Sequence, residues 1–277
     1  MHEHDIVLTG LPRSGTTLAC HLLNKVPDTV ALHEPIRGLF RRLSDHDEIR
    51  VEVERFFAMT RESIVNHGVA ISKHRGGEVP DNPVGDQHSE AGLRQRAVAN
   101  GEMAIDKELG PSFLLAVKHP VAFTALLGTL VGHFPCYAMI RNPLSVLASW
   151  NSVDMPVQRG HAPVAEHLDA RLKETLAGIK DRLDRQVALL SWFCDRYATV
   201  LPPSAVVRYE DIVASGGRAL RSITPRAEAV CEPLESRNAN PAYDRRAMHR
   251  IGERLLRSDG AFWHFYTRNS VERLLQN

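Results

Sequence analysis

The stretch Asp5 to Asn24, DIVLTGLPRSGTTLACHLLN, constrains what this chain can fold into more than any other. Ile6, Val7 and Leu8 read as a short buried strand, Gly10 to Gly15 as a turn, and Thr16 onward as a helix with apolar residues at Leu18, Ala19, Leu22 and Leu23. Strand, phosphate-sized loop and helix follow one another in that order. Glycines at positions 10 and 15 let the backbone curl around an anion, and the first amides of the helix, which lack intrahelical partners, point into the loop. An anionic group is expected there.

The step from Gly10 to Gly15 matches the G-x-x-x-x-G spacing of a Walker A loop, but Thr16-Thr17 stands where that loop has Lys followed by Ser or Thr. A cation appears inside the loop instead, as Arg13, whose planar fork suits an array of anionic oxygens. Read alone, the stretch is also compatible with a degenerate nucleotide-kinase loop or an ordinary glycine-rich turn.

A chain of 277 residues, 43% hydrophobic, can bury a full core and suits one α/β domain spanning 1–277. Its net charge of +1 gives no general attraction to nucleic acid or membrane, so an anion site must be local. No apolar run reaches the length of a membrane span. The chain enters its first strand directly from Met1-His2-Glu3-His4, which leaves no room for a leader, and a cytoplasmic location is expected. Cys20, Cys136, Cys194 and Cys231 form no C-x-x-C pair and are expected as buried reduced thiols.

Further strands are expected at Thr29 to Leu32, Leu114 to Val117, Pro135 to Ile140 and Ala205 to Asp211, and helices at 47–66, 122–131, 144–152 and 163–200. Several strand exits carry charge. Glu34 follows the second strand, Lys118-His119-Pro120 the next and Arg141-Asn142-Pro143 the fourth, which is where open α/β sheets bind their ligands. Residues 74–90, rich in Gly, Pro and Asp, are expected as a long loop, either a mobile lid or a disordered insertion.

Pro12-Arg13-Ser14-Gly15-Thr16-Thr17 resembles the 5′-phosphosulfate loop of the sulfotransferases that use 3′-phosphoadenosine 5′-phosphosulfate (PAPS). Arg141-Asn142-Pro143 with Ser149 eight residues on is similar to the 3′-phosphate motif of the same family, and Lys118-His119-Pro120 looks like its strand-end lysine. Val206-Val207-Arg208-Tyr209-Glu210-Asp211 resembles a further family segment, in which Tyr209 and Glu210 give structural support. The resemblance is to Golgi and tyrosylprotein-type members in a soluble, bacterial-type chain. It implies a P-loop-type three-layer α/β/α fold with a central, mainly parallel sheet and added helices.

It also implies roles. Pro12, Arg13, Ser14, Gly15, Thr16 and Thr17 would bind the 5′-phosphate, Arg141 and Ser149 the 3′-phosphate, and Arg13 and Lys118 would stabilise developing charge. Glu34 would be the general base, with His119 as the alternative. Arg245, Arg246 and Arg250 are possible further phosphate contacts from the arginine-rich stretch 238–257. The expected reaction moves a sulfuryl group from PAPS to a hydroxyl of a small-molecule, carbohydrate or peptide acceptor, without metal. Helix 47–66, the 74–90 loop and residues 151–166 are expected around the acceptor. A Mg²⁺-ATP-dependent small-molecule kinase and a non-catalytic nucleotide-binding module are the alternatives; acceptor identity and oligomeric state are not legible.

Overall fold

The computed structural model describes residues 3–241 and 243–276. Its strands are β1 Asp5–Gly10, β2 Thr29–His33, β3 Val69–His74, β4 Val84–His88, β5 Arg94–Arg96, β6 Ala99–Ala104, β7 Leu114–Lys118, β8 Cys136–Ile140 and β9 Val206–Arg208. Five of them form a central sheet in the order β2-β7-β1-β8-β9, every neighbouring pair parallel. β1, β2 and β7 are buried at every position, as unbroken apolar runs such as Ile6-Val7-Leu8 require in a parallel sheet covered by helices. The chain is an α/β protein of the expected class.

From β1 the chain runs out to the edge strand β2, returns to β7 beside β1, and then crosses to β8 on the other side. The strand order therefore reverses around β1, and the crevice above its carboxyl end is the switch point at which open sheets hold ligands. Beneath that end lies a buried hydroxyl cluster. The Thr9 and Thr124 hydroxyls lie 2.7 Å apart, each within hydrogen-bond distance of the Pro120 carbonyl, and Thr124 meets the Tyr197 hydroxyl at 2.7 Å.

Helix His46–His67 buries Ile49, Val53, Phe57, Thr60 and Ile64, a stripe at three- and four-residue steps, while Val65 is 70% exposed. Asp45 caps it by accepting from the Glu48 amide, and Gly68, at φ 66°, ends it in the left-handed region.

Several sequence-based boundaries shift. Residues 74–90 are not one loop: β4 occupies Val84–His88 and pairs with β5, and β3 pairs antiparallel with β6 across the whole insertion. The alternation there is too short and polar to stand out in sequence. The expected helix at 122–131 is two pieces, Pro120–Ala125 and Leu127–Leu130, and 163–200 is three, Pro163–Leu168, Ala170–Gly178 and Arg182–Val200, the last two capped by Asp169 and Asp181. The last strand ends at Arg208, and Tyr209 already opens helix Tyr209–Ala214. Cys20, Cys136 and Cys194 are buried free thiols, but Cys231 is exposed. Among the described residues no helix is long and apolar enough to cross a membrane.

Candidate active site

The loop after β1 has the shape its glycines predict. Gly10 sits at φ 143°, where a Cβ would lie 2.4 Å from the Met139 carbonyl oxygen, and Gly15 at φ 86°, where a Cβ would lie 2.7 Å from the Tyr209 ring. Neither position accepts a side chain without displacing its neighbour. Arg13 also takes a positive φ, 73°, a strained choice for a non-glycine residue that turns its side chain toward the cavity wall. Helix Thr16–Leu23 makes its first intrahelical bond from the Ala19 amide to the Gly15 carbonyl, so the Thr16, Thr17 and Leu18 amides stand at its free N-terminus. Ser14 faces away. Its hydroxyl donates to the Leu11 and Met139 carbonyls, its amide to Leu11, and it is fully buried: it fastens the loop to β8 and does not line the cavity.

Glu34 follows β2 and also lies in the left-handed region, at φ 46°, with its amide donating to the Lys118 carbonyl at 2.8 Å. Two lysines hold its carboxylate. Lys118 Nζ lies 3.2 Å from Oε1 and donates to Thr17 Oγ1 at 3.3 Å, and Lys73, from β3, contacts Oε2. Burial disfavours the charged carboxylate, yet Lys118, His33 and Lys73 together overcome it and keep Glu34 well below the usual carboxylate range. Lys118 is 2% exposed, and burial pulls its ammonium down against the opposing pull of Glu34. His33 Nε2 lies 3.7 Å from Glu34 Oε1; burial pushes its pKa down to about 4, so it is neutral.

His119 is placed differently. It precedes helix Pro120–Ala125, its ring packs edge-on against Phe40 and Phe123, and its Nε2 accepts from the Ile36 amide at 3.0 Å. Burial pushes its pKa down to about 3. The lone pair a base needs is therefore engaged in positioning the segment after Glu34.

Arg141, expected to share a phosphate with Ser149, joins it in holding Arg13. Arg141 Nη1 donates to the Arg13 carbonyl at 3.1 Å, and Arg13 Nε donates to the fully buried Ser149 hydroxyl at 3.1 Å. Arg141 also donates through Nε to Asn238 Oδ1 at 2.7 Å and through Nη2 to the Arg237 carbonyl, with its guanidinium stacked 4.6 Å above the Tyr209 ring. Tyr209 and Glu210 support this cluster as expected: the Tyr209 hydroxyl accepts from the Arg237 amide, and Glu210 accepts from the Asn142 amide, Asn238 and the Tyr266 hydroxyl. Ser149 itself does not reach the cavity.

These groups converge on one cavity of about 830 Å³. Pro12, Arg13, Gly15, Thr16, Thr17, Glu34, Lys118, His119 and Arg141 all line it, which brings most of the expected site together. Nine Lys and Arg side chains line it against three carboxylates, a strong local excess in a chain whose net charge is only +1. Residues 81–84 and 155–157 with 161–164 contribute walls as expected, but helix His46–His67 contributes nothing.

Lys73, Arg94 and Arg237 are the site residues that sequence reading missed. Lys73 stands 39 positions from Glu34 and arrives through the pairing of β3 with β6, for which no spacing in the sequence is a signal. Arg94 lines the cavity with its buried Nε lacking a hydrogen-bond partner. Arg237 lies 3.7 Å from Asp81 across the mouth, and it, not Arg245, Arg246 or Arg250, is the cavity-lining arginine of the C-terminal region; those three are exposed on or near helix Arg245–Leu256. Among the described residues no three His, Cys, Asp or Glu side chains are grouped to hold a metal ion.

No protein-family model matches the chain, and no curated protein matches it. Two solved structures are similar in trace. One is sulfotransferase STF1 from Mycobacterium tuberculosis H37Rv, at 15% identity and a TM-score of 0.35 over 99% of this chain and 76% of that one. The other is sulfotransferase STF9 from Mycobacterium avium, at 12% identity and a TM-score of 0.36 over 100% and 76% respectively.

Proposed function

We propose that the chain is a PAPS-dependent sulfotransferase acting on a hydroxyl acceptor. The observation that carries this reading is the set of charges at the carboxyl ends of four parallel strands. Arg13 follows β1, Glu34 follows β2, Lys118 ends β7 and Arg141 follows β8, and all four line one cavity. A Mg²⁺-dependent nucleotide site needs an acidic strand end and a loop lysine. Here the ends of β7 and β8 are cationic, and the loop has Thr16 where the lysine would be.

The residues fit a nucleotide with two separate anionic groups. The free amides of Thr16, Thr17 and Leu18, with the two threonine hydroxyls, make an anion cradle behind the Gly15 turn. Arg141 has guanidinium protons left after its three carbonyl contacts, and the unpartnered Nε of Arg94 offers another donor. Bound PAPS supplies a sulfuryl group: the acceptor oxygen bonds to sulfur as the bond from sulfur to the 5′-phosphate oxygen breaks, its electron pair leaving with 3′-phosphoadenosine 5′-phosphate (PAP).

The chain's own groups supply position and charge. The loop amides and Arg141 orient the two phosphates, and Lys118 and Arg13 place positive charge where negative charge grows. Glu34 Oε1 or Oε2 receives the acceptor's proton. His119 holds the Ile36 amide and so fixes the segment leaving Glu34, which makes it a positioning residue.

A thermal shift with PAP and with ATP, each with and without Mg²⁺, tests this. At a hundred times its dissociation constant a ligand stabilises by about 2.7 kcal/mol, a rise of roughly 5 °C for a chain of this size. A metal-independent rise with PAP, larger than with ATP, is expected. A rise confined to Mg²⁺-ATP would replace this reading with a kinase.

A further inference from the structure

Glu34 has one ammonium more than its neutralisation requires. Lys118, buried at the end of β7, pairs with Oε1 and is tied to Thr17 beside the nucleotide loop. Lys73 takes the other oxygen, Oε2, and differs in every respect. Its side chain is 25% exposed, it lines the cavity wall, and it is carried by the β3–β6 pair outside the central sheet. That pair is docked by the Ser72 hydroxyl, which accepts from the His33 amide at 3.0 Å, so Lys73 is aimed by a fixed backbone while its own ammonium can still swing. A carboxylate held by an ammonium on each oxygen keeps fewer lone-pair sites for an incoming hydroxyl, and the second cation makes it a weaker base.

The cations around Lys73 are also surplus to a nucleotide. The donor's anionic groups have partners at the ends of β1, β7 and β8. Arg37, Arg41 and Arg96 line the same cavity from the segment after Glu34 and from β5, and their side chains make no hydrogen bond or ion pair among the described residues. Asn100, on β6, lines it too, with its buried Oδ1 unpartnered and able to accept from a hydroxyl.

We infer that the acceptor is an anionic hydroxyl compound, bearing a carboxylate, phosphate or sulfate, and that this anion draws Lys73 from Glu34 Oε2, so that recognising the charge and freeing the base are one event. The inference rests on the sulfotransferase reading. It gives the site a selection rule: a neutral alcohol leaves Lys73 on Glu34 and meets a weakened base, whereas an anionic one binds Lys73 with Arg37, Arg41 and Arg96 and relieves Oε2.

Isothermal titration of the PAP-saturated protein with matched probes tests it: glucose 6-phosphate and glucose 6-sulfate against glucose, and 4-hydroxyphenylacetate against 2-(4-hydroxyphenyl)ethanol. At least one anionic probe is expected to bind tenfold or more tighter than its neutral partner; which one separates carboxylate, phosphate and sulfate. Lys73→Met should reduce that preference several-fold and Lys73→Arg should keep more of it, with both variants' thermal midpoints recorded to show that they are folded. Equal affinities throughout every pair, no binding of any probe, or an unchanged preference in folded Lys73→Met would overturn the inference while PAP binding left the sulfotransferase reading standing. Failure of PAP itself to bind overturns both.

Discussion

Lys118 and Glu34 meet at 3.2 Å because β2 and β7 pair in parallel with His33 opposite Lys118, which leaves the residue after β2 beside the last residue of β7. The Glu34 amide then donates to the Lys118 carbonyl, and the turn this demands puts Glu34 at positive φ. Base and cation are thus delivered by one backbone register. A slip of one residue in either strand would turn that strand's side chains to the opposite face of the sheet and part the pair.

Glu34→Gln should lower sulfuryl-transfer turnover by about 10²- to 10⁴-fold, the usual range for losing a general base. PAP binding, measured by titration, should survive. Near-normal turnover would remove Glu34 from the reaction, and His119 could take its place only by giving up the Ile36 amide.

Arg141→Lys keeps the charge but loses the planar fork that binds the Arg13 and Arg237 carbonyls and Asn238 together. PAP affinity should fall at least about tenfold, roughly 1.4 kcal/mol. An unchanged dissociation constant would mean that Arg141 serves the loop alone.

Gly15→Ala puts a Cβ 2.7 Å from Tyr209 Cδ2 at a φ of 86°. Displacing that ring also disturbs the arginine stacked on it. The expected loss is about 1–3 kcal/mol of stability by chemical denaturation, with weakened PAP binding. Wild-type values for both would show that the loop relaxes freely.

Acid should destabilise the fold well before most carboxylates titrate. Unfolded, His33 and His119 titrate near about 6.5; folded, burial lowers them to about 4 and about 3. Between those limits the unfolded chain binds protons that the folded chain does not, so their contribution is complete above about pH 6.5 and declines on acidification toward about pH 3. Glu34, held below its ordinary range, adds a loss in the same direction at the acid end. Each histidine is worth on the order of a few kcal/mol across this window. Melting curves at about pH 7.5, 6 and 4.5 should show the decline, and His119→Gln, which keeps an acceptor for Ile36, should flatten it. A midpoint constant from pH 7.5 to 4.5 would contradict the buried neutral histidines.

Much of the site is legible in the order of residues alone. Gly10 and Gly15 announce the loop because only glycine tolerates their backbone angles and neighbours, and the charged residues at the carboxyl ends of β2, β7 and β8 stand out because they end apolar runs. The motif step from Arg141 to Ser149 is also visible, but not that both residues hold Arg13, nor that Ser149 stands off the cavity that Arg141 lines. Ser14 likewise belongs to the motif yet turns inward to Met139.

The information carried along the chain is local: short apolar strands, the glycine turn, the capped helices and the polar residue that closes each strand, all set by backbone propensity and the period of burial over a few neighbouring residues. Which of those residues meet is a matter of packing. Lys73 reaching Glu34, Arg237 reaching the mouth, His119 turned to the Ile36 amide and helix His46–His67 kept out of the cavity all depend on strand order and on the docking of an insertion whose own pattern is too short and polar to read. Contacts between distant positions are chosen by how layers bury their faces against one another, and no window along the chain contains that information.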